Sequence, residues 1–139
     1  MNLNSLLRGP AKAYNSSADF GLLVLRVFAG LSLAFGHGLG KLPVSSGFIE
    51  GVGNLGFPIP LVFAWAAALS EFMGGLFLAA GFYTRTAAVF IGLTMATAGF
   101  IRHAADPFGT KEKALLFLAV AVLFFFTGPG KYSLGRILK

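Results

Sequence analysis

The sequence predicts an all-α integral membrane protein, folded as an antiparallel four-helix bundle with both termini in the cytoplasm. Composition is the first observation: 56% of the 139 residues are hydrophobic, 12% are charged and the mean hydropathy is +0.79. Soluble domains carry roughly 25% charged residues, and a chain this small still exposes much of its surface. The exposed surface must therefore be largely apolar. The second observation is a series of four apolar runs separated by turn-forming residues.

The charge and the cysteine content exclude several classes of protein. The net charge is +6, but the basic residues lie between the apolar runs rather than in one patch. Basic residues at the ends of membrane segments contact anionic lipid. We therefore expect a location in a membrane, with the lipid bilayer as a partner and no nucleic-acid partner. The chain has no cysteine, which excludes a disulfide framework, an iron–sulfur cluster and a thiolate nucleophile.

The four runs divide the chain into one transmembrane domain and two flanking segments. The first two runs reach the length of about 20 residues that a span needs, whereas the third and fourth need a turn from their polar flanks. Arg102 and Lys113 would then extend toward the interface. The predicted segments are an interfacial N-terminal segment over 1–19, helices over 20–42, 59–82, 86–103 and 112–128 within a domain over 20–134, and a tail over 135–139.

Four spans place both termini on the same side of the membrane. Basic residues are enriched on the cytoplasmic side of membrane proteins. Six of them lie on the side of the termini, namely Arg8, Lys12, Arg85, Lys131, Arg136 and Lys139. Four lie on the opposite side, namely Lys41, Arg102, Lys111 and Lys113. This excess predicts cytoplasmic termini.

Arg26 and Glu71 interrupt the first two apolar runs. Arg26 lies about 10 Å from the start of its helix, and Glu71 lies about 16 Å from the cytoplasmic end of its own helix, at 1.5 Å per residue. A charge at membrane depth is costly unless it is paired or reaches water, so the simplest expectation is a buried Arg26–Glu71 ion pair. Such a pair could fix the register of two helices without any chemistry, or it could bind the polar head of a ligand.

One face of the first helix aligns polar residues with the arginine. At positions i, i+4, i+7 and i+11, this face is made by Arg26, Gly30, Leu33 and His37, with Lys41 one turn beyond. Small residues four apart let two helices approach closely. They are Gly30, Ala34 and Gly38 in the first helix and Ala66, Ser70 and Gly74 in the second. These residues indicate close helix packing or, alternatively, a cavity beside Glu71.

The side opposite the termini collects the other polar candidates. Trp65 there is either an interfacial belt aromatic or a ring that stacks on a planar ligand. His37 and His103 lie at the same membrane level and could hold a haem between them, but no supporting motif accompanies them, which disfavours haem. The spacing typical of a metal site, such as Glu-x-x-His, does not occur, so no metal is expected.

An ordered set of short motifs resembles a known family. The motifs are RVFAG at 26–30, FGHG at 35–38, GFPIP at 56–60, EFMGG at 71–75, TRTAA at 84–88 and GPG at 128–130. Together they resemble the DoxX family of small four-helix inner-membrane proteins, and the resemblance extends from about Phe20 to Leu134.

The resemblance implies a multi-pass location in the bacterial inner membrane and a relation to the small quinone-reducing subunits of thiosulfate:quinone oxidoreductase. It leads us to expect a quinone-binding subunit of a membrane-associated oxidoreductase, with quinone as the ligand. A guanidinium or ammonium would stabilise the oxygen anion that forms on reduction, and a carboxyl or imidazole would exchange a proton. The expected catalytic residues are Glu71 and His37, and the expected ligand-binding residues are Arg26, Lys41, Trp65 and His103. The expected partner is a redox subunit that supplies electrons, or a second copy of the chain.

Two other functions fit the same residues. A membrane scaffold that anchors partners or packs as an oligomer would use Arg26 for stability alone. A small proton-coupled transporter would use Glu71 as its proton carrier, although an unpaired carboxylate suits that role better than one beside an arginine. Whether the chain is an enzyme therefore depends on what binds at the buried charges.

Overall fold

The computed structural model describes residues 14–138, and helices are the only regular secondary structure in that range. Helix α1 covers Ser16–Leu33 and continues through a π-helical turn, Ala34–Gly38, and a 3₁₀ turn, Leu39–Lys41. It is followed by α2 (Ser46–Asn54), α3 (Pro60–Ala80), α4 (Thr84–Thr97, continued by a π-helical turn over Ala98–Arg102), α5 (Phe108–Thr127) and α6 (Leu134–Ile137).

The ends of the helices follow from local sequence. The Asn15 side chain accepts a hydrogen bond from the Ala18 amide at 2.8 Å, and the Ser45 hydroxyl accepts one from the Phe48 amide at 3.2 Å. Both contacts satisfy an amide that a helix start leaves free. Pro60 occupies the first turn of α3, where the missing N–H has no consequence. Gly81 ends α3 with a φ of 69°, a conformation that glycine adopts without strain.

Three of the helices are long and apolar enough to cross a membrane. They are Ser16–Lys41, Pro60–Ala80 and Thr84–Arg102. Helix α5 has 20 residues, but Lys111, Glu112 and Lys113 follow one another near its start. Three of the four predicted spans are therefore supported, and the fourth span stays a prediction, as do the bundle and the side of the termini.

The long helices pack in the order α1, α3, α4 and α5. Contact between α1 and α3 depends on glycine, since a Cβ atom at Gly30 would lie 2.4 Å from the carbonyl oxygen of Gly75. The predicted small residues of α1 therefore do lie at a close helix contact. In α3 the contact is made by Gly75, because the neighbouring Gly74 faces Ile91 of α4.

The core lies between α1, α3, α4 and α5. Its largest fully buried apolar side chains are Phe124, Leu33, Leu78 and Ile91. Large apolar residues also cover the outside, such as Phe28, which is 73% exposed, and Phe126, which is 72% exposed. An apolar exterior is what a lipid-facing surface requires.

The π-helical turn of α1 changes which residues face the core. Arg26, Gly30 and Leu33 are buried, as the predicted face requires, but beyond Leu33 the buried residues are Ala34 and Gly38. His37, the fourth member of the predicted face, is only half-buried. A π-helical turn has more residues per turn than an α-helix, so it shifts the later residues around the axis. Beyond Leu33 the buried face of α1 therefore passes through Ala34 and Gly38, and His37 lies to one side of it.

Candidate functional site

A buried ion pair joins the end of α1 to the middle of α3. The Lys41 Nζ atom lies 2.5 Å from Oε2 and 2.6 Å from Oε1 of Glu71. The Glu71 side chain is 4% exposed, whereas that of Lys41 is 33% exposed. Because Gly38 has no Cβ atom, its backbone lies close to the Phe72 amide. Lys41 follows three residues later, where α1 is close enough to α3 for its ammonium to contact the Glu71 carboxylate. The pair therefore has a sheltered anion and a cation that is open on one side.

The predicted Arg26–Glu71 ion pair was wrong. The Arg26 guanidinium donates from Nη1 to the Pro129 carbonyl at 2.9 Å and from Nε to the Ala79 carbonyl at 3.3 Å. Its Nη2 atom donates to the Tyr132 carbonyl. Ala79 lies eight residues beyond Glu71, which is about 12 Å along α3. The arginine therefore serves the far end of that helix and the loop that follows α5.

A second buried charge, Asp19, holds the same loop. Its Oδ1 atom accepts from the Lys131 amide at 2.8 Å, and its Oδ2 atom accepts from the Tyr14 amide at 3.1 Å. Asp19 is 1% exposed. Sequence reasoning missed this residue because it was assigned to a polar interfacial segment, although an acidic residue in the first turn of a helix is a recognised signal. We call Asp19, Arg26 and the loop over 128–133 the arginine cluster.

His37 lies beside the ion pair of Lys41 and Glu71. Its ring contacts the Phe117 ring edge-on at 5.9 Å between centroids. Glu71, Lys41 and Lys113 are all close enough to interact electrostatically with its imidazole. The structure thus brings together three of the residues that the sequence selected, namely His37, Lys41 and Glu71. Their catalytic and binding roles stay predictions.

Phe48 of α2 completes this group. The Lys41 Nζ atom lies 5.5 Å from the centroid of the Phe48 ring, which is within the range of a cation–π interaction. Phe48 was not among the predicted residues, and only the short apolar pattern of α2 could have indicated it. We call His37, Lys41, Phe48 and Glu71 the lysine–glutamate site.

The other two predicted ligand-binding residues have different surroundings. His103 Nδ1 lies 2.6 Å from Asp106 Oδ2 in the loop between α4 and α5. Trp65 is 39% exposed and precedes Glu71 by six residues, which places it about 120° around α3 from that carboxylate. The roles of both residues in binding stay predictions. Among residues 14–138 there is no group of three or more His, Cys, Asp or Glu side chains that could hold a metal ion.

The chemistry of the lysine–glutamate site is that of a charged hydrogen-bond donor in apolar surroundings. An ammonium group has three N–H donors, and the two carboxylate oxygens take two of them. Among residues 14–138 no acceptor takes the third, which is available to the oxygen of a ligand. Charge-assisted hydrogen bonds of this kind are about twice as strong as neutral ones. The site suits an apolar ligand that carries an acceptor oxygen.

Comparison with known proteins gives a family and two named relatives. The DoxX family model matches residues 21–104. "Inner membrane protein YqjF" of Escherichia coli (strain K12) is 38% identical over 129 residues, covering 87% of this chain and 94% of that protein. "Putative oxidoreductase CatD" of Bacillus subtilis (strain 168) is 33% identical over 115 residues, covering 82% of this chain and 84% of that protein. No solved structure matches the chain significantly.

Proposed function

Because the chain belongs to the DoxX family and is a multi-pass inner membrane protein, we propose that it is a quinone-binding subunit of a membrane oxidoreductase. The observation that carries this proposal is the ion pair of Lys41 and Glu71. A carboxylate that is 4% exposed holds an ammonium group that is 33% exposed, at the end of a membrane-spanning helix. Intramembrane ionisable residues of this kind mark functional sites more often than they serve packing alone.

A quinone fits the chemistry of this site. It is planar and apolar, and its two carbonyl oxygens are hydrogen-bond acceptors. The free N–H of Lys41 supplies the donor, and the rings of Phe48 and Phe117 supply apolar surface nearby. A bound quinone would accept electrons and protons. Lys41 would then stabilise the negative charge that develops on the ligand oxygen.

In this proposal Glu71 and His37 exchange protons with the ligand. Glu71 contacts Lys41 directly, and His37 lies within electrostatic range of both. His37 is half-buried, so it can pass a proton between the pair and the outside. An imidazole is suited to this task because one ring nitrogen can accept a proton while the other releases one.

Electrons come, in this proposal, from a partner redox subunit. One relative, CatD, carries the name of an oxidoreductase, which supports a redox role for the assembly. Arg26 has a structural role instead, because three backbone carbonyls already take hydrogen bonds from its guanidinium. The sequence offered Arg26 and Lys41 as alternatives for binding the polar head of the ligand, and in this proposal Lys41 binds it.

The proposal includes the finer topology of four spans with cytoplasmic termini. Helix α5 would cross the membrane through its apolar part, with Lys111 and Lys113 reaching the interface. The lysine–glutamate site would then face the side opposite the termini. A reporter enzyme that works only in the cytoplasm should be active when it is fused to the C-terminus. Activity at that position of a reporter that works only after export would contradict this orientation.

The experiment is mass spectrometry of the lipid extract from protein purified in mild detergent. We expect near-stoichiometric quinone with the unmodified chain and its loss in Lys41→Met and in Glu71→Gln. Two matched controls change the same residue types elsewhere. Glu50→Gln alters an exposed carboxylate of α2, and Lys131→Gln alters an exposed lysine after α5. Both controls should retain the ligand.

Other outcomes would favour the alternative functions. Equal quinone in all variants, or none in the unmodified chain, would contradict a quinone site at this ion pair. Proton-dependent uptake that Glu71→Gln abolishes would instead indicate a transporter. Unchanged composition of the extract, together with loss of assembly, would indicate a scaffold.

A further inference from the structure

We propose that Phe48 is a positioning and specificity-determining residue of the lysine–glutamate site, one that aims the free N–H of Lys41 and selects planar ligands. This inference rests on the proposed quinone-binding function. It concerns a residue on α2, an element outside the helices that cross the membrane. A lysine side chain is flexible, so the direction of the Lys41 ammonium depends on the groups around it.

The backbone that carries Phe48 is held in place by the contacts of its short helix. Its own amide is bound by the Ser45 hydroxyl at 3.2 Å, which closes the first turn of α2. Val52, one turn later, is buried at 8% exposure. A Cβ atom at Gly53 would lie 3.2 Å from Pro60 Cγ, so α2 meets the start of α3 at close range. The Phe48 backbone therefore has a defined position relative to Glu71, which lies on the same helix α3.

The Lys41 ammonium lies between an anion and an aromatic ring. Both oxygens of Glu71 contact Nζ at 2.5 Å and 2.6 Å, and the Phe48 centroid lies 5.5 Å away. Lysine has four rotatable bonds and considerable rotamer entropy. One contact alone leaves the ammonium free to rotate about the ion pair. A second contact from the ring restricts that rotation, so that the remaining N–H has a preferred direction.

The same ring limits which ligands fit. An acceptor oxygen that binds Nζ lies about 2.8 Å from it, so the body of the ligand comes within contact range of Phe48. A planar ring can then pack in an offset or edge-on arrangement against the part of the aromatic face that the ammonium leaves uncovered. A non-planar ligand with the same oxygen cannot pack against that face equally well. Phe48 thus favours quinones over aliphatic ketones of similar size.

The test uses the fluorescence of Trp65, the only tryptophan of the chain. A short-chain ubiquinone is titrated into the purified full-length chain, and Lys41→Met serves as the reference for quenching by quinone dissolved in detergent. Loss of one cation–π contact corresponds to a weakening of about fivefold, so Phe48→Leu should raise the Kd by about that factor. Phe48→Tyr keeps the ring and should bind within about twofold of the unmodified chain. Phe126→Leu, an exposed residue of α5, is the matched control.

The outcomes separate this inference from the proposed function. If the unmodified chain and Lys41→Met quench alike, the quinone function itself fails. If the unmodified chain binds and Phe48→Leu binds equally well, the role of Phe48 is refuted. A loss in both Phe48→Leu and Phe48→Tyr would also refute it, because the ring would then matter only for packing. An aliphatic ketone that competes as well as the ubiquinone would overturn the claim of specificity.

Discussion

The arginine cluster and the lysine–glutamate site each bury a charge to the same extent. Arg26 and Glu71 are both 3% exposed as whole residues. Their partners differ, because the arginine donates to three backbone carbonyls, whereas the glutamate is held by the side chain of one partly exposed lysine. The two regions therefore satisfy a buried charge in opposite ways.

In the proposed function, this difference separates a structural charge from one that is available for binding. A backbone carbonyl moves only if the segment that carries it moves, so the arginine cluster holds the fold as a unit. A lysine ammonium is held only through its own side chain, so it can bind a further acceptor oxygen without any movement of the backbone. Depth in the membrane therefore does not by itself identify a functional charge. Whether the partners of that charge are backbone atoms or a side chain is the better guide.

The largest effect should follow from removing the arginine. Arg26→Leu leaves three carbonyls without a donor, at about 1–3 kcal/mol for each one that stays buried. We expect the free energy of unfolding in detergent to fall by about 3 kcal/mol or more. Arg26→Lys keeps the charge but not the planar fork and should recover only part of the loss. Arg102→Leu, at an exposed position, is the control, and equal stability of both leucine variants would contradict the structural role.

An intermediate effect should follow from separating α1 from α3 near the lysine–glutamate site. A Cβ atom at Gly38 would lie 2.4 Å from the Phe72 amide nitrogen, whereas none of the surrounding atoms comes within 4 Å of a Cβ at Gly36. Overpacking of this kind costs about 1–3 kcal/mol. Gly38→Ala should therefore lower stability by about 2 kcal/mol and weaken quinone binding, while Gly36→Ala should change neither. Chemical unfolding and the quinone content of the extract measure the two quantities, and parallel behaviour of the two variants would rule out the close contact.

The smallest effect on stability should come from the ion pair itself. Lys41→Met strands the Glu71 carboxylate, but water reaches the open side and the carboxyl can take up a proton, so we expect a loss of only about 1–2 kcal/mol. The double variant Lys41→Met with Glu71→Gln removes both charges and should regain most of that loss. A double-mutant cycle measures the coupling. A coupling energy near zero would show that the two charges do not stabilise each other. A loss of stability in Lys41→Met larger than that in Arg26→Leu would reverse the comparison.

The helices could be predicted from the sequence because their signal is local. Four apolar runs and the glycines and prolines between them indicate where helices begin and end, and helices do cover all four runs. The small residues of α1 likewise predict its close contact with another helix. Such features depend on neighbours in sequence and on hydropathy, which the sequence displays directly.

The partners of the buried charges could not be predicted in the same way. Every residue has a carbonyl, and the sequence does not display which carbonyls remain free. One signal existed, since Ala79 lies in the last turn of α3, where carbonyls lack helical partners. Helical spacing placed Lys41 near the face of Arg26 and His37, but it gave no reason to choose Lys41 over Arg26 as the partner of Glu71. The π-helical turn over Ala34–Gly38 rotates the later residues of α1 around the helix axis, and ordinary helical spacing does not indicate that rotation.

The bond from Arg26 to Pro129 also has a consequence for the order in which the protein is made. The two residues are 103 positions apart, and synthesis proceeds at about 5–20 residues per second. The guanidinium is therefore made roughly 5–20 s before Pro129, whereas Ala79, its nearest acceptor along the chain, follows it by only 53 residues. The full set of acceptors for Arg26 is therefore present only after the loop over 128–133 has been made. Helix α1 depends on that loop, more than a hundred residues later, for the complete pairing of its buried charge.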